Sequence, residues 1–586
     1  MSAASVSSIN PETLDAVLRR RAAELPDHVA YRFLPDGETE AEEFTYAALD
    51  HKARALAVRL LEHAQPGQRV LLVYADGLEP LAAFFGCLYA GMIAVPVAAP
   101  RPRQPLDALA AIVADAAVGV VLTSQALLAR YQNEPALAHV QWLASDALGA
   151  DDPAAAAWQP PSTRPGDTAA LLYTSGSTSA PKGVMLSHTA LWGPPFSLPE
   201  GIDPDWTLNA VAWMPLHHIA GLSIALLVLR VGQATEIRLP AELVMEQPLL
   251  WLRAISRYRA LQAGGPNFLF QLCVDRIAPE ERAGLDLGLW MFAPLVSEPV
   301  LAETLEQFSA AYAAAGFQPW AFVPNYGLSE QPGITVRVGP RLPLVTAFDR
   351  AALAGGGGAT RNRVAPVSAD AAGAVRLVSN GRLGAGMTVR IVNPSTEVAC
   401  APGEVGEVWV ASPYTASGYW NRPAETAETF QAHLAGSGAG PFLRTGDLGF
   451  IYEDELYICG RLKDMIIIRG QNYYAQDIEA AAAGSHPDLG GAAAAFGVPA
   501  AGGSGERVVI YHEVRPECAA PDTAAISAAI RRAVARQLQL QVYGVVLVPA
   551  GSLPRTGVGK VRRYLVRAAF LAQQAAQQPA AGELRS

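Results

Sequence analysis

Residues 69–99, RVLLVYADGLEPLAAFFGCLYAGMIAVPVAA, decide the fold class. The apolar run RVLLVY stops at the turn residues ADG, AAFFGCLYAG has the apolar periodicity of a buried helix, and MIAVPVAA is a second short apolar run. This is strand, helix, strand. The rhythm continues through the helix LDALAAIVADAA, the strand VGVVLTSQ and the strand-to-loop stretch AALLYTSG, within a region from about residue 45 to 335. Such alternation predicts an α/β fold with a largely parallel sheet covered by helices, and ligands at the carboxyl ends of the strands. A glycine-rich patch, ALAGGGGATRNR (352–363), reads as a loop or insertion. Beyond it VRLVSNG, TVRIVNP, GEVWVASP and ELYICGR are short strands punctuated by Gly, Pro and Asn, which predicts a small β-barrel or twisted sheet. After GRLKD (460–464) the composition changes to IIIRG, an alanine-rich helix, RVVIYHEV and the helix ISAAIRRAVARQL, a compact α+β tail domain.

A chain of 586 residues exceeds one core, and its 51% hydrophobic and 17% charged residues suit a globular enzyme. A net charge of −10 argues against a dedicated nucleic-acid binder. The most apolar window, LAAFFGCLYAGMIAVPVAAP, is broken by glycine and proline, so no transmembrane segment is predicted. The first residues show no basic-then-apolar leader, and the five scattered cysteines form no CxxC pair. Together these predict reduced, mostly buried thiols in a cytoplasmic protein.

TSGSTSAPKG (174–183) crowds hydroxyls, two glycines and one lysine after a strand. Backbone N–H groups and hydroxyls exposed at one point suit phosphate oxygens, and Lys182 adds charge. It is not a Walker loop, because the lysine precedes Gly183. Hydroxyl-rich loops also occur as plain linkers, so this stretch decides nothing alone.

Five further segments follow in order: WMPLHHIAGL (213–222), PNYGLSEQPG (324–333), LRTGDLGF (443–450), GRLKDMIIIRGQNYYAQDIE (460–479) and LPRTGVGKVRR (553–563). With TSGSTSAPKG, they resemble the adenylate-forming superfamily of acyl-CoA synthetases, peptide-synthetase adenylation domains and luciferases, from about Tyr46 to Leu565. SGYWNRPAETAETF, WLRAISRYRALQAGGPNFLF and the opening FTYAALDHKARALAVRL look most like the fatty acyl-AMP ligases. So does the long segment between Glu330 and Gly381, since CoA-ligating relatives have a shorter link there. In that branch the insertion restrains the tail domain and disfavours the CoA-using arrangement. The resemblance implies a large N-terminal domain, 1–462, of βαβ layered sheets, with an insertion at about 340–372 and a β-barrel subdomain at about 375–460. It implies a small mobile C-terminal lid domain, 463–586, whose tail frays from about 572.

The implied chemistry has two halves. A carboxylic acid attacks the α-phosphate of Mg²⁺-bound ATP and expels pyrophosphate, and the acyl group then passes to the phosphopantetheine thiol of an acyl carrier protein. By resemblance Thr174, Ser175, Gly176, Ser177, Thr178 and Lys182 hold the β- and γ-phosphates, and Lys560 bridges the substrate carboxylate and α-phosphate. Glu330, helped by Thr174, binds Mg²⁺ through oxygen. Tyr326 stacks on adenine, the backbone at Ser297 meets its edge, and Gly327 and Ile458 complete the nucleotide set. Asp447 takes the ribose hydroxyls with Arg461, and Lys463 is the hinge of the lid. His218 stands at the mouth of the acyl pocket and orients the carboxylate; His217 is structural, because adjacent side chains diverge.

Three positions depart from the branch. Acyl-AMP ligases usually read HDMG where this chain has His218-Ile219-Ala220-Gly221, which looks more like general carboxylate–CoA ligases. They read NGAEP where it has Leu295-Val296-Ser297-Glu298-Pro299, so Val296 narrows a site where glycine leaves room. Gln331-Pro332 replaces small residues. Ile219, Val296 and Gln331 all fall on the acyl side, which predicts an unusual acid: shorter, branched, aromatic or functionalised. The alternatives are a carboxylate–CoA ligase and a catalytically silent nucleotide-binding protein.

Overall fold

The computed structural model describes residues 12–577 except 102–104, 150, 175–180, 194–207, 337–340, 355–362, 469–470, 500–505, 517, 519–520 and 557–558. The alternating pattern forms a six-stranded sheet in the order Gln141–Ala144, Val120–Thr123, Arg69–Tyr74, Ile93–Ala98, Thr168–Thr174, Lys182–Ser187. Its pairs are parallel except the last, where Thr174 stands opposite Lys182. Burial on both faces explains why these strands read as continuous apolar runs. Helix Glu79–Tyr89, buried along Leu81–Tyr89, is the crossover between Arg69–Tyr74 and Ile93–Ala98.

A second sheet runs Gln262–Ala263, Leu208–Ala212, Ala234–Arg238, Val29–Phe33, Glu42–Thr45, with only the last strand antiparallel. One cluster beside it packs Trp251, Phe270, Trp290, Phe308, Phe317 and Phe322 largely edge to face, with centroid separations such as 5.3 Å for Trp251–Trp290 and 5.2 Å for Phe270–Phe308. Each buried aromatic contributes about 1.5–3 kcal/mol, and edge contacts add to it. That cluster fixes helix Asn267–Arg276, whose first turn matters below.

Where a small β-barrel or twisted sheet was expected, at about 375–460, the described residues form an antiparallel sheet of four strands, Thr388–Val392, Gly406–Ala411, Leu443–Tyr452 and Glu455–Arg461. Backbone pairing continues past its outer strand, where Asn380 N–H donates to Leu456 O (2.8 Å) and Leu456 N–H to Gly381 O (2.9 Å). Of the insertion, Val345–Asp349 pairs with Ala374–Val378, and helix Arg350–Leu353 follows the first of these strands. The glycine-rich residues 355–362 lie outside the described residues.

The C-terminal region has its own core. Strands Leu489–Pro499, Glu506–Val514 and Val542–Pro549 form a sheet covered by helices Ala475–Ala483 and Thr523–Leu538, with Ile478, Ile510, Ile526 and Ile530 fully buried. The last helix runs Arg563–Gln577, past residue 572 where fraying was expected. Alanine and glutamine are strong helix formers, and Val566 and Phe570 seat this helix on the sheet.

Candidate active site

The motifs fall into groups of contacting side chains. Lys182 opens strand Lys182–Ser187 and forms an ion pair with Glu425, its Nζ 5.2 Å from the Tyr419 ring centroid. The bond from Lys182 holds the Glu425 carboxyl below its ordinary range. Tyr419 reaches the other way, donating its hydroxyl to Glu330 Oε1 at 2.8 Å. Backbone bonds lace these pieces together: Met185 N–H to Gly418 O (2.9 Å), Trp420 N–H to Gly183 O (2.8 Å) and Ala416 N–H to Glu330 O (2.8 Å). Thr174 ends its strand opposite Lys182; Ser175, Gly176, Ser177 and Thr178 lie outside the described residues. Glu330 sits in a tight turn in which Leu328 and Gln331 exchange backbone bonds of 3.1 Å.

A second group surrounds Asp447, which is buried. Tyr326 donates its hydroxyl to Asp447 Oδ2 at 2.8 Å, and Arg461, directly opposite in the strand pairing, places Nε 3.0 Å from Oδ1. Burial pushes the Tyr326 phenol well above its ordinary value, and Asp447 foremost raises Arg461. Ile458 packs into the same small cluster as Tyr326. A Cβ on Gly327 would come within 2.7 Å of Gly333 N, so only glycine fits there.

The third group lies on the acyl side. His218 caps helix Ile219–Val231: its Nδ1 accepts from Ala220 N–H at 3.2 Å. That bond leaves the proton on Nε2, and burial, helped by His217 and Lys560, lowers the imidazole to about 4. The ring is therefore neutral at physiological pH and presents an N–H donor. His217 is lowered to about 4 by burial alone. Ile219 and Val296 pack against the two large cores. Gln331 is fully buried and accepts from Thr415 Oγ1 at 2.6 Å. Ser297 holds a left-handed backbone, φ 73°, unusual for a residue with a side chain.

Lys560 joins these groups from the C-terminal region. Its loop is closed by Thr556 N–H to Lys560 O (2.8 Å) and Lys560 N–H to Thr556 Oγ1 (3.1 Å). Burial lowers the ammonium to about 8; Arg461 and Arg563 also lower it, while Asp447 and Asp464 support it. Lys560 lies within electrostatic reach of His218 and Glu298 on the acyl side and of Asp447. Lys463 lies at the surface in the turn Leu462–Asp464, where the chain passes into that region. Among the described residues no group of three His, Cys, Asp or Glu could hold a metal. Glu330 alone suits an ion carried mainly by phosphate oxygens.

Tyr419, Glu425 and Thr415 were given no role by the sequence reading, although SGYWNRPAETAETF carries two of them. The signal was there: a tyrosine, threonines and acids in a segment tied to the lysine strand only by folding.

A family model described as AMP-binding enzyme matches residues 18–420. The chain is 41% identical to the medium-chain-fatty-acid acyl-carrier-protein ligase JamA of Moorena producens, over 95% of each. It is 32% identical to 4-hydroxyphenylalkanoate adenylyltransferase of Mycobacterium tuberculosis, over 95% of this chain and 91% of that one. The fatty acyl-adenylate ligase of L. pneumophila, solved with acyl adenylate and pyrophosphate, superposes with a TM-score of 0.72 at 34% identity, covering 97% and 96%.

Proposed function

Because the chain belongs to the AMP-binding enzyme family, we propose that it is an acyl-AMP ligase that charges a carrier protein with a medium-chain or arylalkanoic acid. One observation carries the reading: Lys560, borne on a separate core, is held by a loop whose Gly559 lies on Phe268 of the large domain, within electrostatic reach of His218 and of the Asp447–Arg461 pair. A substrate carboxylate oxygen attacks the α-phosphorus of ATP, the bond to the β-phosphate breaks and pyrophosphate leaves. His218 Nε2–H orients the carboxylate, and Lys560 offsets the charge that gathers between the reacting oxygens. Lys182 grips the distal phosphates, leaving Glu425 to do so. Asp447 and Arg461 hold the ribose, and Tyr326 braces Asp447 through its hydroxyl. Mg²⁺, when bound at Glu330, neutralises phosphate charge. A phosphopantetheine thiol then attacks the acyl carbonyl and AMP departs. The names of the relatives support the acid class, and Val296 and the buried Gln331 support a short or substituted chain. The test is ATP–pyrophosphate exchange across hexanoic to palmitic acids and phenylalkanoic acids. Activity is expected on medium-length or aryl acids, and a clear preference for palmitic acid would overturn the acid class.

The preference for a carrier thiol over free CoA rests on a clasp. Arg350 of the insertion donates to Asp477 Oδ2 at 3.0 Å, and Asn472 and Tyr474 donate to Ala354 O (3.2 Å) and Leu353 O (3.1 Å). These tie the lid to the insertion in the arrangement that delivers Lys560. We expect Arg350→Ala to raise acyl-CoA formation from a barely measurable level while adenylation falls by less than about tenfold, because one partly exposed ion pair is worth about 1 kcal/mol. Thioester assays with CoA and with holo carrier protein check this.

A further inference from the structure

The lysine loop rests on a specific platform. A Cβ built on Gly559 would stand 2.5 Å from Phe268 Cζ and 2.7 Å from Cε1, and Gly559 has φ +82°, so the residue before Lys560 is pressed onto the Phe268 ring in a conformation that favours glycine. Phe268 is half-buried in the first turn of helix Asn267–Arg276 and packs on the aromatic core. Its N–H, one of the helix's orphan donors, is taken by Glu298 Oε1 at 2.6 Å. Asn267 locks the same turn, accepting from Leu301 N–H (3.0 Å) and donating to Thr304 Oγ1 (3.2 Å). Glu298 also faces the lid: Lys560 and Arg555 both favour its ionised form, against burial that raises it to about 7. Arg555 is itself fixed to the buried Glu513 at 2.7 Å. Glu298 therefore anchors the turn that carries Phe268 and lies within electrostatic reach of the two lid cations.

We propose that Phe268 and Glu298 form the seat on which the lysine loop docks, a positioning pair that acts on adenylate formation and not on thioester formation. The proposal rests on the acyl-AMP ligase reading, in which only the first half-reaction needs Lys560 in the cleft. Phe268→Ala removes the surface under Gly559; Glu298→Gln keeps the shape and removes the charge.

The test uses the full chain and two half-reactions: pyrophosphate exchange with an acid the wild type accepts, and single-turnover transfer from the synthetic acyl-adenylate to pantetheine. Exchange is expected to fall about 100-fold in each variant, the usual cost of misplacing a reacting group by an ångström, with transfer unchanged. Phe268→Leu should restore most of the exchange. Hydrogen–deuterium exchange gives a second reading independent of any acid: residues 553–562 should lose protection in Phe268→Ala while strand Glu506–Val514 keeps it. A plain helix cap predicts lower stability and an equal loss in both half-reactions. That result, or unchanged protection of 553–562, overturns the seat. A wild type that exchanges with no acid overturns the ligase reading instead, and the protection experiment still decides the seat.

Discussion

Lys560→Ala is expected to lower pyrophosphate exchange by about 10²–10³-fold, the range for removing one preorganised charge-stabilising group from a transition state. The ammonium lies within electrostatic reach of both His218 and Asp447, so in the proposed reaction its deletion removes the cation from the point where the carboxylate meets the α-phosphate. ATP affinity should change little, because Asp447, Arg461 and Lys182 remain. The wild type should also show a basic limb. Burial holds Lys560 at about 8, below its usual 10.5, so the ammonium is present at neutral pH and is lost as pH rises through about 8. Lys560→Arg keeps the charge at all accessible pH values, so its residual exchange should lack that limb. A basic limb that persists in Lys560→Arg would assign it to another group.

How far these groups were legible depends on the range of the interaction that makes them. Arg69–Tyr74 and Ile93–Ala98 declare themselves, because a strand buried on both faces is an apolar run whatever surrounds it. Asp447 and Arg461 came from motifs, and their pairing follows from one strand register. Whether the short strands after residue 375 make a barrel or a twisted sheet was not legible, because that depends on which edges meet, and Leu456 finds its partner at residues 380–381, a choice its own strand does not encode. In the tail, AQQAAQQ looks like low complexity, yet helix Arg563–Gln577 runs into it, because its residues favour helix and Val566 and Phe570 supply the tertiary contact. Tyr419, Glu425 and Phe268 stand in segments that the resemblance singles out, yet nothing local to them names their partners. Tyr419 reaches the site through a bridge to Val184, and Phe268 matters only because Gly559 of a remote segment lies on it.

Gly221→Ala sets two local effects against each other, and the sign of the result identifies the winner. Gly221 is the third residue of helix Ile219–Val231, where alanine is intrinsically better by about 1 kcal/mol. A methyl group there would stand 2.2 Å from Pro215 O, 2.4 Å from Met214 O and 2.7 Å from Pro215 C, all main-chain atoms. Neither carbonyl is free to retreat. Pro215 O accepts His218 N–H at 3.0 Å, and Met214 O accepts Arg238 Nη1 at 2.9 Å, with Arg238 itself paired to the fully buried Glu236. The clash must therefore open the turn that carries His218. Overpacking of this kind costs about 1–3 kcal/mol, and rigid backbone neighbours put it at the upper end, so the net change is about 2 kcal/mol of destabilisation after the helix gain. The displaced turn also withdraws the imidazole from the carboxylate, so kcat/KM for the acid should fall about 100-fold while KM for ATP moves far less. Equilibrium unfolding and steady-state kinetics on the same preparation check both. A variant as stable as the wild type would mean that the turn Met214–His218 yields, and with it the fixed placement of His218 on which the proposed carboxylate orientation depends.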